Sequence, residues 1–320
     1  MNRPLVGTLA TAVLGAAALV GTAGSAGAAP LPGKSAHPDR VITADLSAQR
    51  GAAAHGTGAE VQLQSKAKSK AKAVNFAGTV ALSNCSGSIV RMPTSQANDP
   101  ALVMTNGHCL ETGMPGPGEV IVDQPSSRSF TVLGASANQL GTIKATKVAY
   151  STMTDTDVTL YQTSSTYAQI QQKFNIKPLE LATSHPVQGN AITVVSGYWK
   201  KTYSCNIDGF VHNLKEGDWT WKDSVRYTPE CQTIGGTSGS PVIDNATGKV
   251  AAINNTGNED GEQCTVNNPC EVDESGNVTV HQGTNYAEET YGIPQCFVAG
   301  NKLDLSQAGC ELPKSGALRR

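Results

Sequence analysis

Eight cysteines constrain this chain more than any other feature: they stand at 85, 109, 205, 231, 264, 270, 296 and 310, an even number, with none earlier. Whether they pair or bind metal depends on the compartment, and the amino terminus bears on that. Arg3 precedes an apolar run from Leu5 to Val20, then small residues through Ala26-Gly27-Ala28. These are the charged, apolar and small-residue regions of a secretory signal peptide, expected over residues 1–28. The run falls short of the ~20 residues of a spanning helix; a retained signal anchor is the alternative, and no later stretch approaches membrane length. A secreted, extracellular protein with four disulfides is therefore expected. A thiolate metal site is disfavoured because no CxxC pair occurs and the spacings are wide. No metal ion or other cofactor is expected.

Residues 29–73 have a different character. Pro30 to Ala73 contains almost no aromatic or β-branched runs, and Lys66, Lys68, Lys70 and Lys72 alternate with Ala and Ser. Such a stretch cannot bury a core, so it is expected to be a propeptide removed in maturation or a persistent basic linker. Residues 1–73 carry eight Lys/Arg against three Asp/Glu, which leaves 16 against 23 for the remainder. An acidic second part argues against a nucleic-acid surface, which needs clustered cations.

Residues 74–320 read as a β-rich domain. Val, Thr, Ser and Gly are spread evenly, and long amphipathic periodicity is missing. Short apolar segments end in Gly, Pro, Asn or Ser: Phe76–Leu82, Gly87–Val90, Ala101–Thr105, Glu119–Val122, Phe130–Leu133, Lys147–Tyr150 and Asp157–Gln162. The second half repeats the habit at Ala191–Ser196, Thr202–Cys205, Val225–Tyr227, Pro241–Ile243, Val250–Ile253, Val278–Val280 and Thr290–Ile293. Thr163–Gln172 divides the halves as a linker or a single helical turn, giving one compact unit or two packed half-domains.

Chemistry concentrates in three places. Gly235-Gly236-Thr237-Ser238-Gly239-Ser240-Pro241 sets a serine between glycines, in a turn that leads into the apolar Val242-Ile243. Glycine permits the strained backbone such a turn requires, leaving the hydroxyl exposed with amides pointing the same way. Upstream, Met104-Thr105-Asn106-Gly107-His108-Cys109 ends an apolar strand in a histidine beside a half-cystine, where it can serve as a general base. Between them, Asp157-Val158-Thr159-Leu160 opens a strand with an acid whose side chain starts opposite to Val158 and Leu160. Singly, His108 reads as a turn residue and Asp157 as a strand-end cap; Asp155 is a competing acid on the same face. In the order His, Asp, Ser they match one arrangement of a nucleophilic triad.

From about Phe76 to Cys296 the chain resembles the secreted bacterial trypsin-like serine endopeptidases of the chymotrypsin fold. Cys85-Ser86-Gly87-Ser88-Ile89 is similar to the family's Cys-Gly-Gly-Ser-Leu, and Asn106-Gly107-His108-Cys109 to its Ala-Ala-His-Cys. Asp157-Val158-Thr159-Leu160 resembles Asp-Ile-Thr-Leu, and Gly236-Thr237-Ser238-Gly239-Ser240-Pro241 resembles Gly-Asp-Ser-Gly-Gly-Pro. The resemblance implies an all-β fold of two six-stranded antiparallel barrels with the active site in the cleft between them. It implies a His108, Asp157, Ser238 triad acting through an acyl-enzyme, an oxyanion hole from the amides of Gly236 and Ser238, and a Cys85–Cys109 disulfide. Peptides or proteins would be the substrates, and the mature protein would be a monomer that engages neither nucleic acid nor membrane. A catalytically silent relative that binds a ligand or partner is the alternative.

Departures from the pattern bear on specificity and activation. Thr237 replaces the aspartate that receives the new amino terminus in trypsin-type zymogens, so any latency would have to come from the upstream basic segment. The Thr-Ser-Gly-Ser-Pro spelling looks like the glutamyl-endopeptidase branch, and Thr233 coincides with a threonine that binds a substrate carboxylate there. Asn254 stands where that branch has a histidine. Gln232, at the expected pocket base, supplies no counter-charge for Lys or Arg. A neutral or weakly polar side chain before the scissile bond is expected, with Asn254, Asn255 and Thr256 as the edge to which a peptide adds. Cys205 and Cys231 flank the hairpin leading to the serine turn and are expected to pair. Cys264–Cys270 and Cys296–Cys310 are expected too, with an exchange among these four as the alternative. The acidic loops Asn258–Glu262 and Glu271–Glu274 are solvated loops or, alternatively, calcium ligands.

Overall fold

The computed structural model describes residues 73–315. The signal peptide expected at 1–28, all but the last residue of the segment 29–73, and residues 316–320 lie outside the described residues.

The first barrel uses β1 (Thr79–Ala81), β2 (Ser86–Arg91), β3 (Pro100–Thr105), β4 (Val120–Pro125), β5 (Ser129–Leu133), β6 (Gln139–Thr152) and β7 (Val158–Thr166). Six of them close a ring in the order β1-β5-β6-β7-β3-β2 and back to β1, every pairing antiparallel. Strand β4 hangs on β6 outside the ring, and β8 (Leu179–Glu180) adds to β2 in parallel. The helix α1 (Tyr167–Phe174) plugs one end with Ile170 and Phe174.

The second barrel closes in the same way. Strands β9 (Ala191–Ser196), β10 (Lys201–Glu216), β11 (Trp219–Tyr227), β12 (Pro241–Asp244), β13 (Val250–Gly257) and, after the short β14 (Cys270–Val272) and β15 (Val278–Thr279), β16 (Asn285–Glu289) supply it. The ring runs β9-β10-β11-β16-β13-β12 and returns to β9, again antiparallel throughout. A last small pair, β17 (Phe297–Val298) and β18 (Lys302–Leu303), follows. Two six-stranded antiparallel barrels, as expected, make up the domain. Among the described residues no helix is long and apolar enough to cross a membrane.

Strand alternation explains why the central segments are apolar without a break. Ile89, Val103 and Tyr161 turn into the first barrel beside Val80, Phe130 and Ile143. Their neighbours Val90, Leu102, Met104, Val158 and Leu160 turn the other way and pack with Val195, Ile243, Val250 and Ile253 of the second barrel. Both faces of β2, β3 and β7 are therefore buried, and each fully buried aliphatic side chain contributes ~1.5–3 kcal/mol.

All four expected disulfides are present: Cys85–Cys109, Cys205–Cys231, Cys264–Cys270 and Cys296–Cys310. The first two close segments 24 and 26 residues apart and constrain the unfolded chain by roughly 3 kcal/mol each.

Several boundaries differ from the sequence expectation. The segment read as Lys147–Tyr150 is the latter part of a 14-residue β6, and Thr202–Cys205 lies at the start of a 16-residue β10. The expected divide at 163–172 is the end of β7 followed by eight residues of helix rather than one turn. A capping box drives that helix: Thr166 accepts from the Gln169 amide while Gln169 accepts from the Thr166 amide.

Candidate active site

His108 sits one short turn beyond β3, where the chain leaves the first barrel at the seam. The turn is tight because the backbone at Gly107 lies against β6, and a Cβ there would stand 2.3 Å from the Thr152 carbonyl oxygen. Cys109 is tied to Cys85, and the buried Arg128 guanidinium donates to the Cys109 carbonyl at 2.6 Å and to the Tyr161 hydroxyl at 3.0 Å. The residue after the histidine is thus fixed by a covalent bond and a charge-assisted hydrogen bond.

Asp157, at the start of β7, is fully buried. Its Oδ2 lies 2.7 Å from His108 Nδ1, and its Oδ1 accepts the His108 backbone N–H at 3.1 Å. Asn106 donates to the Asp157 carbonyl at 2.8 Å, so the histidine turn and the start of β7 hold each other. Burial opposes protonation of His108, but the charge and hydrogen bond of Asp157, with a further contribution from Glu216, raise its pKa above the usual histidine value. Asp155 lies elsewhere: it pairs with Lys222 at 2.8 Å on the surface. Geometry therefore brings Asp157, and not its neighbour, to the imidazole.

The serine turn lies across the seam, between the Cys205–Cys231 disulfide and β12. Thr237 and Ser240 amides bond within the turn, to Ile234 and Thr237, and the Gly239 amide bonds to Asn254. The amides of Gly236 and Ser238 have no protein partner among the described residues. Gly236 has φ +89°, and a Cβ there would meet the Tyr198 ring at 2.8 Å, so only glycine suits it. Ser86 locks the turn to the first barrel, its amide donating to the Ser238 carbonyl at 2.8 Å and its hydroxyl to that of Gly236 at 3.1 Å. The Ser238 hydroxyl donates to the Asn255 carbonyl at 3.3 Å. Ser238 and His108 line one cleft of about 500 Å³.

The expected substrate residues line the same cleft: Gln232, Thr233, Asn254, Asn255 and Thr256. Strand β13 pairs with β16 at Asn254 and again at Gly257, which frees Asn255 and Thr256 from that ladder. Thr233 donates to the Asn285 side chain at 2.8 Å, and Gln232 donates to the Pro229 carbonyl at 2.7 Å. Asn254 is buried with both ends occupied, donating to Thr237 Oγ1 and accepting from the Tyr227 hydroxyl.

Four further residues of the cleft or its wall escaped the sequence reading. Asn285 backs Thr233 and donates to the Cys231 carbonyl. Glu216, at the end of β10, is almost wholly buried; one oxygen accepts the Asn267 amide and the other has no partner. Trp219 beside it closes the hairpin over the cleft. Glu288 is fully buried behind Asn255, accepting from Ser224 and from Asn255 at 2.9 Å, and burial pushes its carboxyl up to about 8. No motif marks any of them; only Asn285, following a Gly-Thr turn, sits at a punctuated site. In the second acidic loop Glu271 is engaged by Arg226 and Tyr286, and Asp273 by Ser275 and Asn277.

Residues 85–253 match the family profile described as the trypsin-like peptidase domain. Among solved structures, the active form of the Rv3671c protease from M. tuberculosis is 15% identical with a TM-score of 0.41, covering 75% of this chain and 84% of that one. The MamO protease domain from Magnetospirillum magneticum is 14% identical with a TM-score of 0.42, covering 68% and 94%. The chymotrypsin of Cellulomonas bogoriensis is 14% identical with a TM-score of 0.39, covering 69% and 93%. No curated protein sequence matches the chain.

Proposed function

The chain belongs to the family of trypsin-like peptidase domains, and from that premise we propose that it is a secreted serine endopeptidase with His108, Asp157 and Ser238 as its triad. The reading is carried by one observation: the buried Asp157 carboxylate engages His108 through both oxygens, on a cleft that Ser238 shares. Asp157 holds the ring hydrogen on Nδ1, leaving the Nε2 lone pair as base. Ser238 turns its hydroxyl from the Asn255 carbonyl to that lone pair, attacks the scissile carbonyl and forms an acyl-enzyme; His108 returns the proton to the leaving amine. The unpartnered amides of Gly236 and Ser238 receive the oxyanion, where losing one donor costs ~3–4 kcal/mol of transition-state stabilisation. Residues 1–28 direct secretion and residues 29–73 form the propeptide, a reading supported by the four disulfides, which need an oxidising compartment.

The pocket favours a neutral side chain before the scissile bond. Gln232, Thr233 and Asn285 supply no charge; the acidic members of the cleft, Glu216 and Glu259, oppose a substrate carboxylate, and Asn254 has no free polar end to offer one. That separates this pocket from the glutamyl-endopeptidase pattern despite the shared spelling at Thr237–Pro241. Incubation of the purified, processed enzyme with casein and a mixed peptide library, read by mass spectrometry, is expected to give internal cleavages after neutral residues. No cleavage would favour a silent, ligand-binding relative; cleavage confined to Glu, or to Lys and Arg, would refute the pocket assignment.

The pH profile follows from the raised pKa of His108. A base must be neutral, so the acid limb of kcat/KM is expected to have its midpoint above the ordinary histidine value of about 6.5. Because the Glu216 charge adds to the rise, Glu216→Gln is expected to move that midpoint down. A midpoint below 6.5, or one that rises in the variant, would contradict the electrostatic account.

A further inference from the structure

We propose that His185, Asp223 and Glu289 form a binding site for one divalent transition-metal ion, zinc by its ligand chemistry, on the second barrel away from the cleft. The three side chains come from the connection before β9, from β11 and from β16, and one donor atom from each lies within 4.8 Å of the others. His185 Nε2 is 3.0 Å from Asp223 Oδ2 and 2.9 Å from Glu289 Oε1. On its other side the ring is committed: Nδ1 donates to the Pro186 carbonyl at 2.6 Å. That bond places the neutral ring's hydrogen on Nδ1 and turns the Nε2 lone pair toward the carboxylates, the arrangement that orients metal-ligating histidines. Phe210 and Tyr291 pack edge-on against the ring at 4.4 and 5.4 Å and hold it in place.

A protonated imidazole does not complete this cluster. Nε2 carries at most one hydrogen, and its hydrogen-bond geometry serves Asp223. Glu289 Oε1, on a side chain only 7% exposed, is then left in contact with Nε2 without a hydrogen bond from it, so Asp223 and Glu289 must either share a proton or hold an ion. Among the described residues neither carboxylate pairs with a Lys or Arg, and the adjacent Lys222 is taken by Asp155. Buried polar atoms without partners are rare because desolvation is not compensated; an ion at the centre satisfies all three donors at once. One imidazole and two carboxylates suit zinc, which takes three protein ligands and a water, whereas calcium and magnesium prefer all-oxygen sets. Tetrahedral ligands ~2.0 Å from an ion stand roughly 3.3 Å apart, so the observed spacings need to open by a few tenths of an ångström. His185 and Asp223 are 40% and 49% exposed, which leaves the ion a way in.

The ligands also flank groups that support the substrate edge. Ser224 follows Asp223, Glu288 precedes Glu289, and Ser224 donates to Glu288, which holds the Asn255 amide. An ion would therefore clamp β11 to β16 directly behind Asn255. The test uses metal-stripped Ser238→Ala protein, which cannot digest itself, titrated with Zn²⁺ alone by calorimetry and followed by thermal unfolding. One saturable site and a higher Tm with Zn²⁺ are expected. Asp223→Asn and Glu289→Gln should each weaken binding by about tenfold or more, while His108→Ala, which removes the buried histidine–carboxylate pair of the cleft, should leave it unchanged. Asp223 is half-exposed, so its variant keeps the test open should Glu289→Gln fail to fold. Absence of saturable binding, binding unaffected by Asp223→Asn, or binding lost with His108→Ala would overturn the proposal.

Discussion

Ser238→Ala is expected to lower kcat by about 10⁶-fold while leaving the fold intact. The hydroxyl makes one hydrogen bond, to the Asn255 carbonyl, whereas the turn is held by backbone bonds from Ser86, Thr237, Gly239 and Ser240. Removing one oxygen should therefore leave the position of the Gly236 and Ser238 amides unchanged, and peptide affinity with them. Adding His108→Ala to Ser238→Ala should cost little more, because a base without a nucleophile has nothing to activate. Steady-state hydrolysis of a peptide substrate, with unfolding curves as the control for fold, checks both statements. Turnover by Ser238→Ala near that of the wild type would remove Ser238 from the mechanism.

Asp157→Asn is expected to cost about 10⁴-fold in kcat. The argument rests on two donors meeting one side chain. Asp157 accepts both the backbone N–H and the Nδ1–H of His108, one on each oxygen. Asparagine has a single acceptor oxygen, so one donor would face the amide NH₂. The backbone donor cannot change, whereas the imidazole can shift its hydrogen to Nε2, the atom that must take the proton from Ser238. Asn is nearly the same size as Asp, so this buried site should still fold. Its kcat would be low throughout the pH range where the wild type is active; a loss below tenfold would mean that the carboxylate does not fix the tautomer.

The site was legible in the sequence wherever local chemistry restricts residue choice. Gly107 has no room for a Cβ and Gly236 needs a positive φ, so both advertise their turns, and the half-cystine at 109 marks the histidine beside it. Apolar runs such as Ala101–Met104 gave away β3 because both its faces are buried. Strand β10 was harder to see. Its buried Tyr203, Cys205 and Ile207 alternate with the exposed polar Ser204, Asn206 and Asp208, so no apolar run exists there to find. Thr166 and Gln169, three apart, spell the start of a helix longer than the linker or single turn expected there. Glu216, Glu288 and Asn285 are common polar residues whose burial depends on strand register, which no nearby residue encodes. The same holds for His185, Asp223 and Glu289, brought together from three distant segments.

The central claim is that Ser238 is a nucleophile activated by His108. A fluorophosphonate reacts covalently only with a serine whose hydroxyl is being deprotonated in an oxyanion-stabilising site, so its site of attachment measures that claim directly. Labelling of the wild-type protein followed by peptide mass spectrometry should place one equivalent on Ser238, and His108→Ala should abolish it. An unlabelled wild-type protein, a label on another residue, or a label on Ser238 that persists at the same rate in His108→Ala would contradict the account.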